Sequence, residues 1–235
     1  MKVAILLNGN LRTIEKCSEN IYNSFNHLSP DYFVSTYRNQ YGYHPYIQSF
    51  LQYHDDPILE DSQVLEKFYK FNPKLVFIEN VNDVNEFYSK EVGKLSPNMN
   101  NIESSYLQYL KIKKGLNLIE QFENNNNIKY DVIIKTRCDI IHKNIVGIDL
   151  SNIDNKIIIS TGNIFPNDCV LISSRDNMFS IIDFVINEFY HLTNPISTTN
   201  PPHGVLLAGI QNRNLEVQQH PIMDYVVRVN RDHYY

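Results

Sequence analysis

The chain has 235 residues, of which 43% are hydrophobic, so it can bury the core of a globular α/β protein and is not a disordered chain. Its formal net charge of -5 argues against a basic nucleic-acid-binding face, and nucleic acid is not an expected partner. The three cysteines, Cys17, Cys138 and Cys169, show no CxxC or Cys/His spacing. A disulfide framework and a structural zinc site are therefore not indicated.

The first strand-like segment also bears on location. MKVAILLNGNLR contains one lysine and a short apolar run that reaches a polar turn at Asn8. This run is too short for the core of a signal peptide, and no apolar run in the chain approaches membrane-spanning length. We expect a cytoplasmic protein without a transmembrane segment, and peripheral association with a membrane stays open.

The N-terminal half predicts strands and helices in alternation. KVAILLNGN is typical of a buried strand that ends at Gly9. DYFVSTY (31–37) and KLVFIE (74–79) indicate two more short buried strands, and residues 38–60 between them are interpreted as an insertion. Apolar residues at steps of three and four predict a helix after the first strand: Ile14, Cys17, Ile21, Phe25 and Leu28.

The middle of the chain predicts one long helix followed by a loop. Asn100 and Glu103 resemble a capping box at the start of this helix. The helix is expected to end before the asparagine run at 124–127, which is interpreted as a loop. Its apolar positions are Ile102, Tyr106, Tyr109, Leu110, Leu116 and Ile119.

The C-terminal half predicts three strands, a helix and a late strand. A helix is indicated by Met178, Ile181, Ile182, Val185 and Phe189, and residues 194–202 are typical of a mobile loop. Residues 215–229 predict a late strand and tail. The three strands are YDVIIKTR (130–137), KIIIST (156–161) and CVLISS (169–174).

The alternation of strands and helices predicts the fold class. We expect one three-layer, Rossmann-like α/β domain over residues 1–235, with a mainly parallel central sheet and a late antiparallel element.

DVIIKTRCDII contains three charges at the end of a buried strand: Lys135, Arg137 and Asp139. Side chains alternate along a strand, so these three are expected on one face. The ligand crevice of an open α/β sheet lies beyond the carboxyl ends of its strands. Buried charges need each other, a metal or a ligand as partners. Two interpretations follow: an internal salt bridge between Arg137 and Asp139, or a ligand site.

A second polar segment, NGNLRT, ends the first strand and contains Asn8, Gly9, Asn10 and Arg12. Free N–H groups at a helix start, together with a guanidinium, attract a phosphate or a nucleotide. The segment lacks the spacing of GxGxxG and of GxxxxGK[ST], so it is neither a Rossmann fingerprint nor a Walker loop. A purely structural turn is the alternative, because glycine turns close many βα units.

Several segments together resemble a known family. VAILLNGNLRT, DYFVSTY, QYLKIKKGLNLI, YDVIIKTRCDI and NDCVLISSRDNM, in this order over residues 1–190, resemble bacterial and viral GT-A type glycosyltransferases related to the WavE lipopolysaccharide-synthesis proteins. The resemblance implies a GT-A-like domain that moves a sugar from a nucleotide-sugar donor to a glycan or lipid-linked acceptor in polysaccharide biosynthesis. Residues 194–235 would form an acceptor-side loop and a C-terminal tail.

The resemblance also implies roles for both polar segments. KTRCD stands where other GT-A enzymes carry a DxD motif, so Asp139 would bind a divalent cation, Mn²⁺ or Mg²⁺, on the donor diphosphate. Arg137 stands in place of the first aspartate, and Lys135 and Arg137 could themselves neutralise the phosphates. The nucleotide would lie on the NGNLR turn, that is, on Asn8, Gly9, Asn10 and Arg12.

Two residues are candidates for the general base that takes the proton of the acceptor hydroxyl. Asp168 precedes a predicted strand on the active side and is preferred, with an Asx turn as its alternative role. His203 is the second candidate, and a helix-entry or loop position is its alternative. A rival function is a non-catalytic nucleotide- or sugar-binding module with a degenerate transferase fold. The sugar, the nucleotide base, the acceptor and the oligomeric state are left open.

Overall fold

A computed structural model describes residues 1–11, 13–38, 58–80, 100–143, 145, 147–161, 167–193 and 201–226. Within these residues the strands are β1 (Val3–Gly9), β2 (Asp31–Tyr37), β3 (Leu75–Glu79), β4 (Val132–Arg137), β5 (Ile140–His142), β6 (Lys156–Ser160), β7 (Asn167–Ser174), β8 (Glu216–His220) and β9 (Met223–Val226). The α-helices are α1 (Ile14–Phe25), α2 (Asp61–Lys67), α3 (Asn100–Asn126), α4 (Arg175–Thr193) and α5 (Pro201–Asn212).

Seven strands form one sheet in the order β3-β2-β1-β4-β7-β6-β8. β7 pairs antiparallel with both β4 and β6, whereas the other neighbouring strands pair parallel. β5 and β9 pair antiparallel as a separate two-stranded sheet. The expected fold class is confirmed, with a mainly parallel central sheet and late antiparallel elements.

The sheet lies between two helical layers. Alternate residues of β1 belong to different hydrophobic clusters, so that Ile5 and Leu7 pack with α1 while Leu6 packs with α3, α4 and α5. α3 packs closely on β1 at Gly115. A Cβ atom added at this position would overlap the side chain of Leu6. A glycine at this position therefore permits the close approach of helix and sheet.

The long helix α3 does not end where the sequence predicted. It runs to Asn126, so the expectation that it stops before the asparagine run is wrong. Asn126 donates a side-chain hydrogen bond to the Phe122 carbonyl at 2.8 Å, and Asn127 has a left-handed φ of 51° that ends the helix. The helix begins at Asn100, and the side chain of Glu103 lies outside the described part of the chain.

Three other segments differ from the sequence prediction. Helix α2 was not anticipated, and of the predicted insertion only residues 38 and 58–60 are described. The predicted loop 194–202 is too long, because α5 begins at Pro201. Proline suits a first helical position, where its missing N–H would be unpaired anyway. The late segment 215–229 forms two strands, β8 beside β6 and β9 beside β5, and 227–229 lie outside the described residues.

None of the described helices combines the length and the apolar character that a membrane crossing requires.

Candidate functional site

The two polar segments predicted from the sequence meet at one edge of the sheet. β1 and β4 are parallel neighbours, and Asn8 lies directly opposite Arg137. The chain continues from β1 to β2 and β3 on one side of the sheet, whereas β4 is followed by β7 on the other. The strand order therefore reverses between β1 and β4, and in α/β sheets ligands bind beyond the carboxyl ends at such a point. We refer to Asn8, Lys135, Arg137, Asp139 and Asp168 as the switch-point site.

Lys135 is a fully buried cation within β4. Its Nζ donates a hydrogen bond to the backbone carbonyl of Asp168, and no other acceptor among the described residues is bonded to it. Burial lowers the pKa of Lys135, while the negative charge of Asp168 acts in the opposite direction. An ammonium group has three N–H donors, so Lys135 could also donate hydrogen bonds to a bound anion.

Arg137 and Asp139 form a bidentate ion pair. Nε and Nη2 of Arg137 donate to the two Asp139 carboxylate oxygens at 2.8 and 2.7 Å. Burial lowers the pKa of Arg137, but Asp139 and, to a smaller extent, Cys169 and Asp168 raise it, and the net shift of the pKa is upward. The expected strand-face position of Asp139 is wrong: β4 ends at Arg137, and the following turn brings Asp139 back onto it. The salt bridge considered from the sequence is present.

Asn8 is a buried amide at the end of β1. The residue is 1% exposed, and neither its Nδ2 nor its Oδ1 has a hydrogen-bond partner among the described residues. Leaving such groups unpaired costs folding free energy. Gly9 follows with a φ of 113°, and the Thr36 hydroxyl donates to its carbonyl at 2.8 Å, which fixes the predicted turn. Asn10 is partly buried, and Arg12 lies outside the described residues.

Asp168 lies beside Lys135 at the same edge. β7 begins at Asn167, so Asp168 is its second residue and not, as expected, a residue just before the strand. β7 runs antiparallel to β4, which places the start of β7 at the carboxyl end of β4. Nε2 of Gln108 on α3 donates to the Asp168 carboxylate. The pKa of the Tyr109 hydroxyl is raised by burial and by the charge of Asp168.

His203 lies in the first turn of α5, in the helical layer. It is partly buried there. The structure thus gives His203 the helix-entry position that was its alternative in the sequence.

Sequence reasoning missed a second buried lysine. Lys111 on α3 donates to the Thr36 carbonyl at 3.0 Å, pairs with Glu79, and lies 3.5 Å from the centroid of the Tyr37 ring. Burial lowers the pKa of Lys111 to about 8, while Glu79 opposes this shift. The available signal was polar Gln108 and Lys111 at the spacing of a buried helix stripe. Because Lys111 has its counter-charge, we interpret this cluster as a clamp between α3 and strands β2 and β3.

The described residues do not provide a good ligand set for a divalent cation. They include no group of three or more His, Cys, Asp or Glu side chains close enough to share a metal ion. Both oxygens of Asp139 accept hydrogen bonds from Arg137, and Asp168 accepts one from Gln108. Mg²⁺ and Mn²⁺ prefer oxygen ligands, and a cation at Asp139 would compete with the Arg137 guanidinium for the same carboxylate.

Comparison with known proteins gives remote likenesses in structure. No protein-family model and no curated protein matches the chain. The glycosyltransferase GlyE of Streptococcus pneumoniae is similar over 93% of this chain with a TM-score of 0.42 and 8% identity, and the chain spans only 44% of GlyE. A nucleoside-diphosphate-sugar pyrophosphorylase of Vibrio cholerae is similar over 92% of this chain and 91% of its own, with a TM-score of 0.43 and 9% identity. Likenesses this remote carry no information on activity, and membership of the WavE-related family stays a prediction.

Proposed function

We propose that the chain is a glycosyltransferase that binds the diphosphate of a nucleotide-sugar donor at the switch-point site. The observation that supports this is Lys135, a fully buried ammonium bonded to a single carbonyl among the described residues. An ammonium group buried without a directly paired carboxylate is costly, and a bound anion would remove that cost. Its place at the reversal of strand order is where α/β sheets bind nucleotides.

The neighbouring side chains suit a diphosphate leaving group. Lys135 and Arg137 lie on the same strand, two residues apart, and Asn8 adds an amide donor opposite Arg137. When the bond between sugar and diphosphate breaks, negative charge develops on the diphosphate oxygens. Fixed cations and an amide N–H aimed at those oxygens would lower the barrier to this step.

Asp168 supplies the second group that the reaction requires. The acceptor hydroxyl, on a glycan or lipid-linked glycan, must lose its proton as it attacks the sugar. The Asp168 carboxylate accepts a hydrogen bond from Gln108 and lies at the same edge of the sheet as Lys135. It would therefore accept that proton close to the nucleotide-sugar donor. We assign Asp168 the role of general base and place His203 second.

A screen of nucleotide sugars tests this function. Uridine, guanosine, thymidine and cytidine diphosphates and their sugar conjugates are added to the full chain, and melting temperature and donor hydrolysis are measured. A ligand that binds only the folded chain stabilises it by about 2.7 kcal/mol at a hundred times its dissociation constant. If no compound raises the melting temperature, the proposed function is wrong. Binding without hydrolysis or transfer would instead identify a binding module.

A further inference from the structure

We infer that Asp139 acts as a positioning residue that aims Arg137, and that Lys135 and Arg137, not a divalent cation, neutralise the donor diphosphate. This inference rests on the proposed function, because it assigns the chemistry by which the same site holds its ligand.

The first support is the way in which Arg137 contacts Asp139. The pairing uses Nε and Nη2, one long side of the guanidinium. A guanidinium has five N–H donors in a planar fork, so this contact leaves both hydrogens of Nη1 and one of Nη2. Among the described residues no acceptor is bonded to Nη1. The remaining edge of the fork matches two oxygens of a phosphate group.

The second support is the unequal burial of the pair. The side chain of Arg137 is 26% exposed, whereas that of Asp139 is 4% exposed. The accessible part of the pair is therefore cationic, and the carboxylate lies behind it. A cation approaching Asp139 would meet the Arg137 guanidinium first and be repelled by it, and displacing Arg137 would take away the counter-charge of a largely buried ion, which is unfavourable.

The third support is the packing and strand pairing on either side of Asp139. The turn between β4 and β5 places Cys138 in the hydrophobic core, and β5 is paired with β9. With Asp139 fixed in this way, the Arg137 fork is held in one orientation before any ligand arrives. An arginine already held in its binding orientation loses less side-chain entropy when a phosphate binds.

The first experiment compares wild-type binding with and without metal. Uridine, guanosine, thymidine and cytidine diphosphates are titrated into the full chain by calorimetry, once in EDTA and once in Mn²⁺. We expect the dissociation constant of the nucleotide that binds to differ by less than about threefold between the two conditions. If binding is at least about tenfold weaker in EDTA, the inference is wrong and the proposed function stands. If nothing binds in either condition, both are wrong.

The second experiment is a double-mutant cycle in EDTA. Arg137→Lys keeps the charge but loses the fork, and Asp139→Asn loses the anchor of the fork. Each is expected to weaken nucleotide binding about tenfold, and the double variant should be no weaker than Arg137→Lys alone, because Asp139 acts through Arg137. Losses that add in the double variant would contradict the positioning role.

Two further measurements protect the cycle from a folding artefact. Titrations are run well below the melting temperature of each variant, and Asp139→Glu, which keeps the charge, should recover part of the affinity in EDTA.

Mn²⁺ binding in the presence of nucleotide is followed by electron paramagnetic resonance. With nucleotide at a concentration that saturates each protein, wild type and Asp139→Asn should then bind Mn²⁺ to the same extent, since we place no metal on Asp139. Loss of a Mn²⁺ site in Asp139→Asn alone would overturn the inference.

Discussion

Asn8 and Arg137 lie opposite each other across the β1–β4 pair, and they use their polar atoms in opposite ways. Arg137 has its counter-charge in Asp139, whereas both amide atoms of Asn8 are buried without a partner among the described residues. Unpaired buried polar groups cost folding free energy, and natural proteins retain such groups where function needs them. We therefore expect the reversal of strand order to be a place where folding stability is given up for ligand binding.

Replacing Asn8 by leucine is expected to stabilise the fold and to weaken the binding of a nucleotide diphosphate. Leucine has nearly the same shape and removes two unpaired polar atoms, so the free energy of unfolding should rise by about 1 to 3 kcal/mol. Urea unfolding measures the stability, and calorimetric titration with the bound nucleotide diphosphate measures the affinity, which should fall. Ser173→Ala is the control, because the Ser173 hydroxyl is buried but bonded to the Lys156 carbonyl at 3.1 Å. That variant should lose stability and keep its affinity.

The two buried lysines should respond oppositely to replacement by methionine. Lys135 forms no ion pair with any described carboxylate, whereas Lys111 pairs with Glu79. Lys135→Met removes an unpaired charge, so its melting temperature should equal or exceed that of wild type while nucleotide binding is lost. Among the described residues, Lys111→Met leaves Glu79 with only the partly exposed Lys114 as its partner, and the variant should lose about 3 to 5 kcal/mol of unfolding free energy.

The pH dependence of the Lys135→Met variant supplies a check on this account. Burial lowers the pKa of Lys135, so between the folded and unfolded pKa values the unfolded chain binds the extra proton. Wild-type stability therefore gains from rising pH in that range, and the variant lacks this gain. Urea unfolding of both proteins at increasing alkaline pH should show the advantage of the variant shrinking. An advantage that grows with pH would mean that the Lys135 charge stabilises the fold.

The strands of the sheet could be predicted because their residues are buried on both faces. The apolar residues of β1, β2 and β4 are consecutive and do not recur at helical spacing. The three strands lie where the sequence predicted them. The same runs predict nothing about tight turns, since hydrophobicity carries no information on backbone dihedrals. For that reason Asp139 was expected on the strand face, although a turn returns it to Arg137.

The candidate site could be predicted only in part, because the pairing of side chains depends on tertiary contacts that the sequence pattern does not show. The sequence identified Lys135 and Asp168 as charged residues at strand ends but could not bring them together, since their contact depends on the antiparallel entry of β7. Gln108 and Lys111 were missed for the same reason. They lie on a helix far from the strands in sequence, and only packing of α3 on the sheet makes one a partner of Asp168 and the other a clamp.

Asp168→Asn is expected to abolish most turnover while sparing donor binding. The change keeps the size of the side chain but removes the base, and loss of a general base lowers the rate by about 10² to 10⁴. Donor hydrolysis and transfer are assayed alongside calorimetric affinity. His203→Gln is the matched comparison and should retain most of the activity, because we place His203, in the first turn of α5, second to Asp168 as the base. A larger loss in His203→Gln than in Asp168→Asn would reverse our assignment of the base.

His142 is expected to make the fold sensitive to acid. It follows the Asp139 turn, its Nε2 lies 3.0 Å from the Thr136 hydroxyl, and its ring packs edge-on against Phe25 at 5.0 Å between centroids. Burial lowers the pKa of His142 from 6.5 to about 3. Between these two values only the unfolded chain binds the proton, so stability falls as pH drops through this window.

The magnitude follows from this pKa shift. Lowering the pH from 7 to 5 should reduce the free energy of unfolding by about 2 kcal/mol through His142 alone. Urea unfolding at both pH values measures the loss, and His142→Gln, which keeps a polar side chain beside Thr136, should show a smaller loss than wild type. His27→Gln changes an exposed histidine and should leave the wild-type difference intact. Equal losses in wild type and His142→Gln would mean that His142 takes up its proton in the folded protein, and that the β5 strand beside the switch-point site opens more readily than its burial indicates.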